Sequence, residues 1–310
     1  MAWEGKQLIS LDDLSDAQLD RIVEWGTGYA GDDRPEQVLD GAVVGIYFTK
    51  TSTRTRTAFS AGALRLGARI VTYGPGDLQT NTGETLGDTG AVLAGMLDAL
   101  VARTAGPPGE LRELASGGLA VVNAMTADEH PTQALADLVT LAQHFGHVAG
   151  LRVLYAGEGN NTAAALALAL SRYPGVELHL RTPRGYGLAP DVLARAHRYA
   201  QRCGASVSER HDMAALPTGV DAIYTTRWQT TGTSKADPGW RAVFAPFRVH
   251  AGLWDGSPKA VFLHDLPAHR GEEVDADVLD GPASIAFTQA ENKMHSAMAA
   301  LRHCLAESAS

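Results

Sequence analysis

The stretch Phe48-Thr-Lys-Thr-Ser-Thr-Arg-Thr-Arg-Thr-Ala-Phe59 concentrates groups that can bind an anion. It holds several hydroxyls and two guanidiniums, and it falls between an apolar run and a predicted helix. The N–H groups and dipole of a helix start attract an anion, and arginine adds forked donors. The string therefore predicts a phosphate-binding loop; a basic surface loop with a Ser/Thr cap is the alternative. It is not a P-loop, because no G-x-x-x-x-G-K-[ST] motif is present.

A second group of polar residues surrounds His130, in Asp128-Glu-His-Pro-Thr-Gln-Ala-Leu-Ala-Asp137. His130 follows a predicted strand, Pro131 suits the first helical position, and Gln133 falls in the first helical turn. A histidine and a glutamine at a strand end can polarise a carbonyl group without a metal. Arg103 ends another predicted strand of the same half, so the three side chains are expected in one crevice. For His130 alone, a His–Pro helix start with a structural hydrogen bond is the alternative.

The segment Gly157-Glu-Gly-Asn-Asn-Thr162 resembles the start of a dinucleotide-binding fingerprint. Thr162 takes the place of the third glycine, and the next predicted strand ends in Arg181-Thr-Pro without an acid for a ribose. An NADP-linked oxidoreductase using Gly157–Gly159 and Arg181 is therefore an alternative that the motif disfavours.

Apolar runs alternate with helical patterns along the whole chain, which predicts parallel sheets flanked by helices. The run Ala42–Phe48 is typical of a strand buried on both faces. The rhythm breaks near Phe145–Gly150 and restarts at Leu151–Ala156, so we expect two α/β domains. Ser10 and Asp13 suggest a capping box for a short N-terminal helix, and the polar stretch Thr230–Trp240 suggests a loop. The other predicted elements are strands Ala68–Tyr73, Ala99–Ala102, Ala120–Met125, Val176–Arg181, Ala205–Glu209, Asp221–Thr226 and Ala260–His264, and helices Glu84–Leu97, Gly109–Ser116, Pro131–His144, Asn161–Arg172, Pro190–Gln201 and Phe287–Leu305.

Composition narrows the class of protein. The 310 residues carry a formal net charge of −9, which disfavours a nucleic-acid partner. The two cysteines, Cys203 and Cys304, favour a reducing compartment, and no Cys/His cluster has zinc-site spacing. With neither a signal peptide nor a membrane-spanning run evident, we expect a cytoplasmic protein that binds no membrane.

Several motifs in collinear order resemble the aspartate/ornithine carbamoyltransferases. Phe48–Arg56 is similar to that family's F-x-x-x-S-T-R-T-R loop, and Gln79–Thr89 to its Q-x-x-x-G-E-S/T-x-x-D-T loop. Arg103, His130-Pro-Thr-Gln133 and His264-x-Leu-Pro267 follow with matching spacing. Near the end, Gly281-Pro and Ala290-Glu-Asn292 resemble the ornithine branch.

The resemblance implies two α/β domains, with the C-terminal helix packing back on the first. Residues 1–145, with a terminal helix at 288–310, would bind carbamoyl phosphate, and residues 146–287 would bind the acceptor amine. It also implies a homotrimer with active sites between subunits, and no metal or organic cofactor.

Site residues follow from the resemblance position by position. Arg54, Arg103, His130 and Gln133 would be catalytic. The carbamoyl-phosphate site would comprise Ser52, Thr53, Arg54, Thr55, Arg103, His130, Gln133, Leu266, Lys293 and, from a neighbouring subunit, Gln79. No covalent intermediate is needed, so neither cysteine is expected to act in catalysis.

The acceptor site departs from both branches of the family. Ornithine enzymes typically carry D-x-x-x-S-M-G after the Tyr-Thr strand; here Thr226 replaces the aspartate and Thr230-Thr231 replaces Ser-Met. The segment Thr226-Arg-Trp-Gln229 instead resembles the T-R-x-Q of aspartate enzymes, in which Arg and Gln hold a side carboxylate. Asn161 still matches the ornithine-branch asparagine that binds the amino-acid carboxylate.

Two further positions near the carbamoyl group are unusual. Asp265 stands where ornithine enzymes have cysteine and aspartate enzymes have proline, and Lys293 stands where ornithine enzymes usually have arginine. A carboxylate at position 265 would bind an incoming ammonium or help to take its proton. We therefore expect acceptor-binding residues Asn161, Thr226, Arg227, Gln229 and Asp265.

These departures predict an acceptor that is neither ornithine nor plain aspartate, in a specialised biosynthetic pathway. It would be a small amine with an acidic group for Arg227 and a cationic or donor-rich part near Asp265. The alternatives are an ordinary ornithine enzyme that makes citrulline, in which Arg227 faces solvent, and a non-catalytic binding or regulatory relative.

Overall fold

The computed structural model describes residues 7–32, 34–229 and 234–306, with the backbone alone at residues 80 and 81. The chain forms two compact units. One comprises Met1–His144 together with Glu291–Ser310, and the other comprises Phe145–Ala290.

The sheet of the first unit is parallel and has the strand order β2-β1-β3-β4. Its strands are β1 (Val43–Phe48), β2 (Arg69–Tyr73), β3 (Ala99–Arg103) and β4 (Ala120–Met125). Strands β3 and β4 are buried throughout, in keeping with their largely apolar sequences, whereas the edge strand β2 is largely exposed. The order reverses between β1 and β3, where ligands of open α/β sheets bind at the strands' carboxyl ends.

The helices of this unit bring charged and polar groups to that edge. They are α1 (Asp16–Ala30), α2 (Arg54–Arg65), α3 (Leu86–Ala94), α4 (Pro108–Ala115) and α5 (Pro131–Phe145). The terminal helix α10 (Ala286–Leu305) packs on them, as the predicted fold class requires. Its Met298 lies against Gly62 of α2 so closely that a Cβ there would meet the Met298 Cγ at 2.9 Å. Its Arg302 lies over the ring of Trp25 in α1, 4.5 Å from the centroid.

The second unit holds a five-stranded parallel sheet in the order β7-β6-β5-β8-β9. The strands are β5 (Arg152–Ala156), β6 (Glu177–Arg181), β7 (Ser206–Arg210), β8 (Ala222–Thr225) and β9 (Val261–His264). The helices are α6 (Asn161–Leu170), α7 (Pro190–Cys203), α8 (Trp240–Phe244) and α9 (Ala276–Leu279). Helix α6 is buried on every side, as its Ala/Leu sequence predicts. These observations confirm the predicted α/β fold.

Several helices begin at residues other than those predicted from the sequence, because of local capping hydrogen bonds. The Ser10–Asp13 capping box exists, but it caps a single 3₁₀ turn, Leu11–Asp13, whereas α1 begins after its own box of Ser15 and Gln18. Helix α3 begins two residues later than predicted, because the Thr85 hydroxyl accepts the N–H of Asp88. In the predicted loop Thr230–Trp240, residues 230–233 lie outside the described residues, and Trp240 opens the short helix α8. None of the described helices is both long and apolar enough to span a membrane.

Candidate active site

The predicted phosphate loop leads from β1 directly into α2. Thr53 is the cap residue of α2, but its side chain makes no capping hydrogen bond, and Arg54 is the first helical residue. The N–H groups of the first turn are therefore not capped by this side chain, unlike those of α1 or α3. The start of α2 has the polarity that favours an anion.

Arg103, at the end of β3, reaches the same helix. Its side chain is buried, and Nη1 donates to the Thr55 hydroxyl at 3.2 Å. The β3–β4 register shifts at this point, so that Arg103 pairs with Met125, whose φ is 144°. Such a backbone costs roughly 1–3 kcal/mol and is retained where surrounding contacts enforce it. The start of α2 and the end of β3 thus present guanidinium and hydroxyl groups together.

His130 is buried immediately before α5. Burial lowers the pKa of His130 well below its usual 6.5, and the positive charges of Arg103 and Lys293 lower it further. The imidazole is therefore neutral at pH 7, and its Nδ1 lies 3.4 Å from the Thr132 hydroxyl. A neutral imidazole keeps one N–H that can donate to a carbonyl oxygen.

Gln133 is fixed by partners on two helices. Its Nε2 donates to Asp137 Oδ1 at 2.7 Å, and its Oε1 accepts a hydrogen bond from Lys293 Nζ on α10. All three residues are buried. An amide NH₂ group carries two donors, and Asp137 takes one of them. Lys293, which was predicted to contact carbamoyl phosphate, is thus hydrogen-bonded to Gln133.

A buried network that sequence reasoning missed supports the turn before His130. The Glu129 carboxylate accepts from the Ser10 hydroxyl and the Leu11 N–H, each at 2.7 Å. The Asn123 side chain accepts from Met125 N at 2.9 Å and donates to Ile9 O at 2.8 Å. Only the position of Glu129 beside His130 hinted at such a role, because no sequence pattern pairs Ser10 with a residue so distant in the chain.

Gln79 does not join these residues within the chain. It is exposed and begins the 3₁₀ turn Gln79–Thr82 of the first unit. Its contact with a neighbouring subunit's site stays a prediction.

In the second unit, Asp265 is held by hydroxyl groups from two other elements. Thr226, just after β8, donates to Asp265 Oδ1 at 2.8 Å, and Thr162, in the first turn of α6, donates to Oδ2 at 3.0 Å. The register pairs Thr225 with His264, which places residues 226 and 265 side by side. The ornithine pattern has its aspartate at position 226, whereas this chain has its carboxylate at position 265. The two positions follow neighbouring strands, which lie about 4.8 Å apart.

The residues around Asp265 are also fixed by hydrogen bonds. His264 Nδ1 accepts the Leu266 N–H at 2.8 Å, so the 3.5 Å approach of Nδ1 to Asp265 is not an ion pair. His264 Nε2 then carries the proton and donates to the buried Glu273 at 3.3 Å. Leu266 has a φ of 50°, which an L-residue adopts at a cost. The turn after β9 is therefore held in one conformation.

Arg227 and Gln229 line an open cavity of about 530 Å³ in the second unit. Trp240, Arg241, Ala268, His269, Arg270 and Glu272 complete its lining. Arg241 pairs with Glu272 at 3.4 Å, and Arg270 pairs with Asp280 at 2.6 Å. By contrast, the buried Nε of Arg227 has no hydrogen-bond partner within residues 7–32, 34–229 and 234–306. Buried polar groups without a protein partner are uncommon and point to a ligand or water.

The Gly157–Thr162 segment is built for packing rather than for a dinucleotide. The Asn160 side chain accepts the N–H groups of Thr162 and Ala163, which a pyrophosphate would otherwise use. A Cβ on Gly159 would meet the backbone of Gly187 at 2.3 Å. The space beside Gly159 is therefore filled by the protein backbone and is not open to a ligand. These contacts disfavour the NADP alternative. Asn161 is buried as the first residue of α6.

Comparison with known proteins agrees with this fold and identifies its family. The family model described as the aspartate/ornithine carbamoyltransferase carbamoyl-P binding domain matches residues 6–143. The model of the Asp/Orn binding domain of the same family matches residues 149–304. The chain therefore belongs to the aspartate/ornithine carbamoyltransferase family, and it is a carbamoyltransferase, an enzyme that uses carbamoyl phosphate.

Individual relatives extend over nearly the whole chain. It is 37% identical to an ornithine carbamoyltransferase of Gloeobacter violaceus over 296 residues, covering 95% of this chain and 94% of the relative. It is 36% identical to the one from Bacillus subtilis, covering 97% and 94% of the two chains. The solved structure of an ornithine carbamoyltransferase from Pyrococcus furiosus superimposes with a TM-score of 0.92 at 33% identity, covering 100% of both chains.

Proposed function

We propose that this enzyme transfers the carbamoyl group of carbamoyl phosphate to the amine of a small acidic acceptor that is neither ornithine nor plain aspartate. The first unit binds carbamoyl phosphate, and the second binds the acceptor. The observation that carries the proposed acceptor is Arg227, which lines a cavity and whose buried Nε has no partner among the described residues. An arginine in that state suits a carboxylate that binds through two hydrogen bonds.

In the first unit, the phosphate group is held by Ser52, Thr53, Arg54 and Thr55 at the start of α2. The carbonyl oxygen of the carbamoyl group receives hydrogen bonds from Arg103, His130 and Gln133. Since His130 is neutral, it donates an N–H without transferring a proton. These donors are fixed before the substrate arrives, which is the condition for stabilising an oxyanion.

The reaction then needs no covalent intermediate. The lone pair of a neutral amine attacks the carbamoyl carbon, negative charge builds on the carbonyl oxygen, and the C–O bond to phosphate breaks. The attacking nitrogen passes a proton to the departing phosphate, which leaves as the hydrogen phosphate dianion beside Arg54. Holding the two reactants in contact supplies part of the rate enhancement.

In the second unit, Asp265 binds the cationic or donor-rich part of the acceptor. A carboxylate offers about four acceptor positions, and the hydroxyls of Thr162 and Thr226 fill two. Asn161 binds the amino-acid carboxylate, and Gln229 assists Arg227. Leu266 contacts the carbamoyl group beside them.

We further propose that a homotrimer forms, in which Gln79 reaches the site of a neighbouring subunit. The unusual acceptor suits an enzyme of a specialised biosynthetic pathway. The alternative with specific support is an ordinary ornithine enzyme, because the relatives named above are ornithine carbamoyltransferases and Asn161 matches that branch.

The decisive experiment is a panel of amines with carbamoyl phosphate: diamino acids, aspartate analogues and simple amines. Formation of the ureido product should be most efficient for an amine that also carries an acidic group, and Arg227→Met should lower kcat/KM for that amine about 10- to 100-fold. Arg248→Met, in which an exposed arginine paired with Asp275 is removed, is the matched control. Efficient citrulline formation, unaffected by Arg227→Met, would refute the proposed acceptor.

The first unit is tested separately. Arg54→Ala and Arg103→Ala should each reduce turnover about 10²- to 10³-fold, the usual effect of removing one preorganised donor. A folded variant that kept most of its activity would refute the assignment of that residue.

A further inference from the structure

Lys235 is buried in an aromatic box in the second unit. Its Nζ lies 4.9 Å from the ring centroid of Tyr186, 5.4 Å from that of Trp240 and 4.8 Å from that of Phe244. The side chain is only 6% exposed, and its ammonium forms an ion pair with Glu158. Trp228 packs on the same cluster, 5.6 Å from Phe244 between ring centroids. We call these four aromatic residues the aromatic box.

This arrangement is unusual for a lysine in a loop. Lysine is almost never fully buried unless it is paired, because removing an ammonium from water is costly. Here three ring faces and one carboxylate replace the water. Burial raises the pKa of Glu158, while its hydrogen bond and charge interaction with Lys235 oppose that rise. Because burying this ammonium requires both the carboxylate and the rings, we expect the Lys235–Glu158 contact to hold the chain segments around it in place.

Two of the segments around Lys235 carry residues of the proposed acceptor site, and a third, helix α8, lines the same cavity. Glu158 belongs to the turn before α6, and its carbonyl accepts the Tyr155 hydroxyl at 2.5 Å, so the turn leading to Asn161 is held. Trp228 is buried between Arg227 and Gln229, whose side chains line the cavity. Trp240, a wall of the box, also lines that cavity.

We propose that Lys235 is a positioning residue for the acceptor: its ammonium fixes the turn at 157–160, the segment 227–229 and helix α8 in one arrangement. The inference rests on the proposed acceptor site. If it is correct, loss of the ammonium weakens acceptor binding while the carbamoyl-phosphate site of the first unit keeps its affinity.

Lys235→Met tests this, because it removes the charge and keeps most of the length. The KM of the acceptor should rise about 20-fold, the size expected for a desolvated cation–π contact, with kcat within about threefold. The dissociation constant of inorganic phosphate, used as the probe for the first unit, should stay within about twofold of wild type. Lys235→Arg keeps the charge and should retain a near-normal KM, and Lys259→Met removes an exposed lysine as the control. An unchanged acceptor KM in a folded Lys235→Met protein would overturn the proposal.

Chemical rescue separates positioning from general stability. In Lys235→Ala, added n-propylammonium should enter the box, change the tryptophan fluorescence from Trp228 and Trp240, and restore much of the acceptor KM. n-Propanol, which is neutral and similar in size, should not. Equal rescue by both compounds, or no rescue by either, would overturn the role of the charge.

The acceptor used is whichever amine of the panel is carbamoylated, ornithine included. An ordinary ornithine enzyme would thus refute the proposed acceptor and still leave Lys235 tested. If Lys235→Ala does not fold, Lys235→Met against Lys235→Arg decides the point, because equal KM values for these two variants contradict the proposal.

Discussion

Replacing Lys293 with methionine should impair the carbonyl-binding side of the site without touching the phosphate loop. Lys293 Nζ donates to Gln133 Oε1, and Gln133 Nε2 donates to Asp137 at 2.7 Å. Gln133 is 1% exposed, so water cannot replace the lost donor without rearrangement. The Gln133 amide would lose one of the two hydrogen bonds that fix it and keep only the one to Asp137.

The size of the effect follows from the unsatisfied Gln133 oxygen. Leaving a buried acceptor without a partner costs about 1–3 kcal/mol, which at about 1.4 kcal/mol per tenfold is about 5- to 140-fold in kcat/KM. Removing the positive charge should also raise the pKa of His130, since Lys293 is one of the charges that lower it. Lys293→Arg keeps a charged donor and should retain most of the activity.

The assay is the steady-state kcat/KM for carbamoyl phosphate with saturating acceptor, combined with a histidine titration by NMR. Loss of kcat/KM together with an upward shift of the His130 pKa is the expected result. A folded Lys293→Met enzyme with kcat/KM within about twofold of wild type would refute the reasoning that Lys293 orients Gln133.

Three further results are expected. Glu129→Gln should lower the free energy of unfolding by about 1–3 kcal/mol, because it weakens the hydrogen bonds from Ser10 and Leu11; urea denaturation measures this, and an unchanged midpoint would contradict it. Because the pKa of His130 lies below 6.5 in the folded chain, the unfolded chain gains the proton first as pH falls below that value. Stability should therefore decline from pH 7 to 5 more steeply in wild type than in His130→Gln, and equal slopes would count against a buried neutral imidazole. Combining Thr226→Asp with Asp265→Cys should raise kcat/KM for ornithine, relative to the acidic acceptor, at least about tenfold; no change in that ratio would show that the carboxylate's position does not set preference.

Strand ends and loop chemistry were predictable because they depend on short-range patterns. The apolar run before Phe48 had to be a buried strand, and the cluster of Arg54 and its neighbours had to fall where a helix begins. The motifs of the carbamoyltransferase family, which occur in the expected order along the chain, then identified Arg103 and His130 as site residues. Both sheets and the packing of the terminal helix on the first unit agree with those predictions.

Contacts between distant residues were not predictable from the sequence. The hydroxyls of Thr162 and Thr226 that hold Asp265 are brought to it by the pairing of β8 with β5 and with β9. No sequence pattern indicated that Lys235 is buried, since the polar stretch Thr230–Trp240 suggested only a loop. Its burial depends on aromatic residues that only the folded second unit brings together.

The most direct test of the proposed function is a competition for one supply of labelled carbamoyl phosphate. The enzyme is given equal concentrations of ornithine, aspartate and amines that combine an acidic group with a cationic one, and the labelled ureido products are separated and counted. Our account predicts that most of the label enters an amine of the last kind. Label that accumulates mainly in citrulline, or mainly in carbamoyl aspartate, would contradict it.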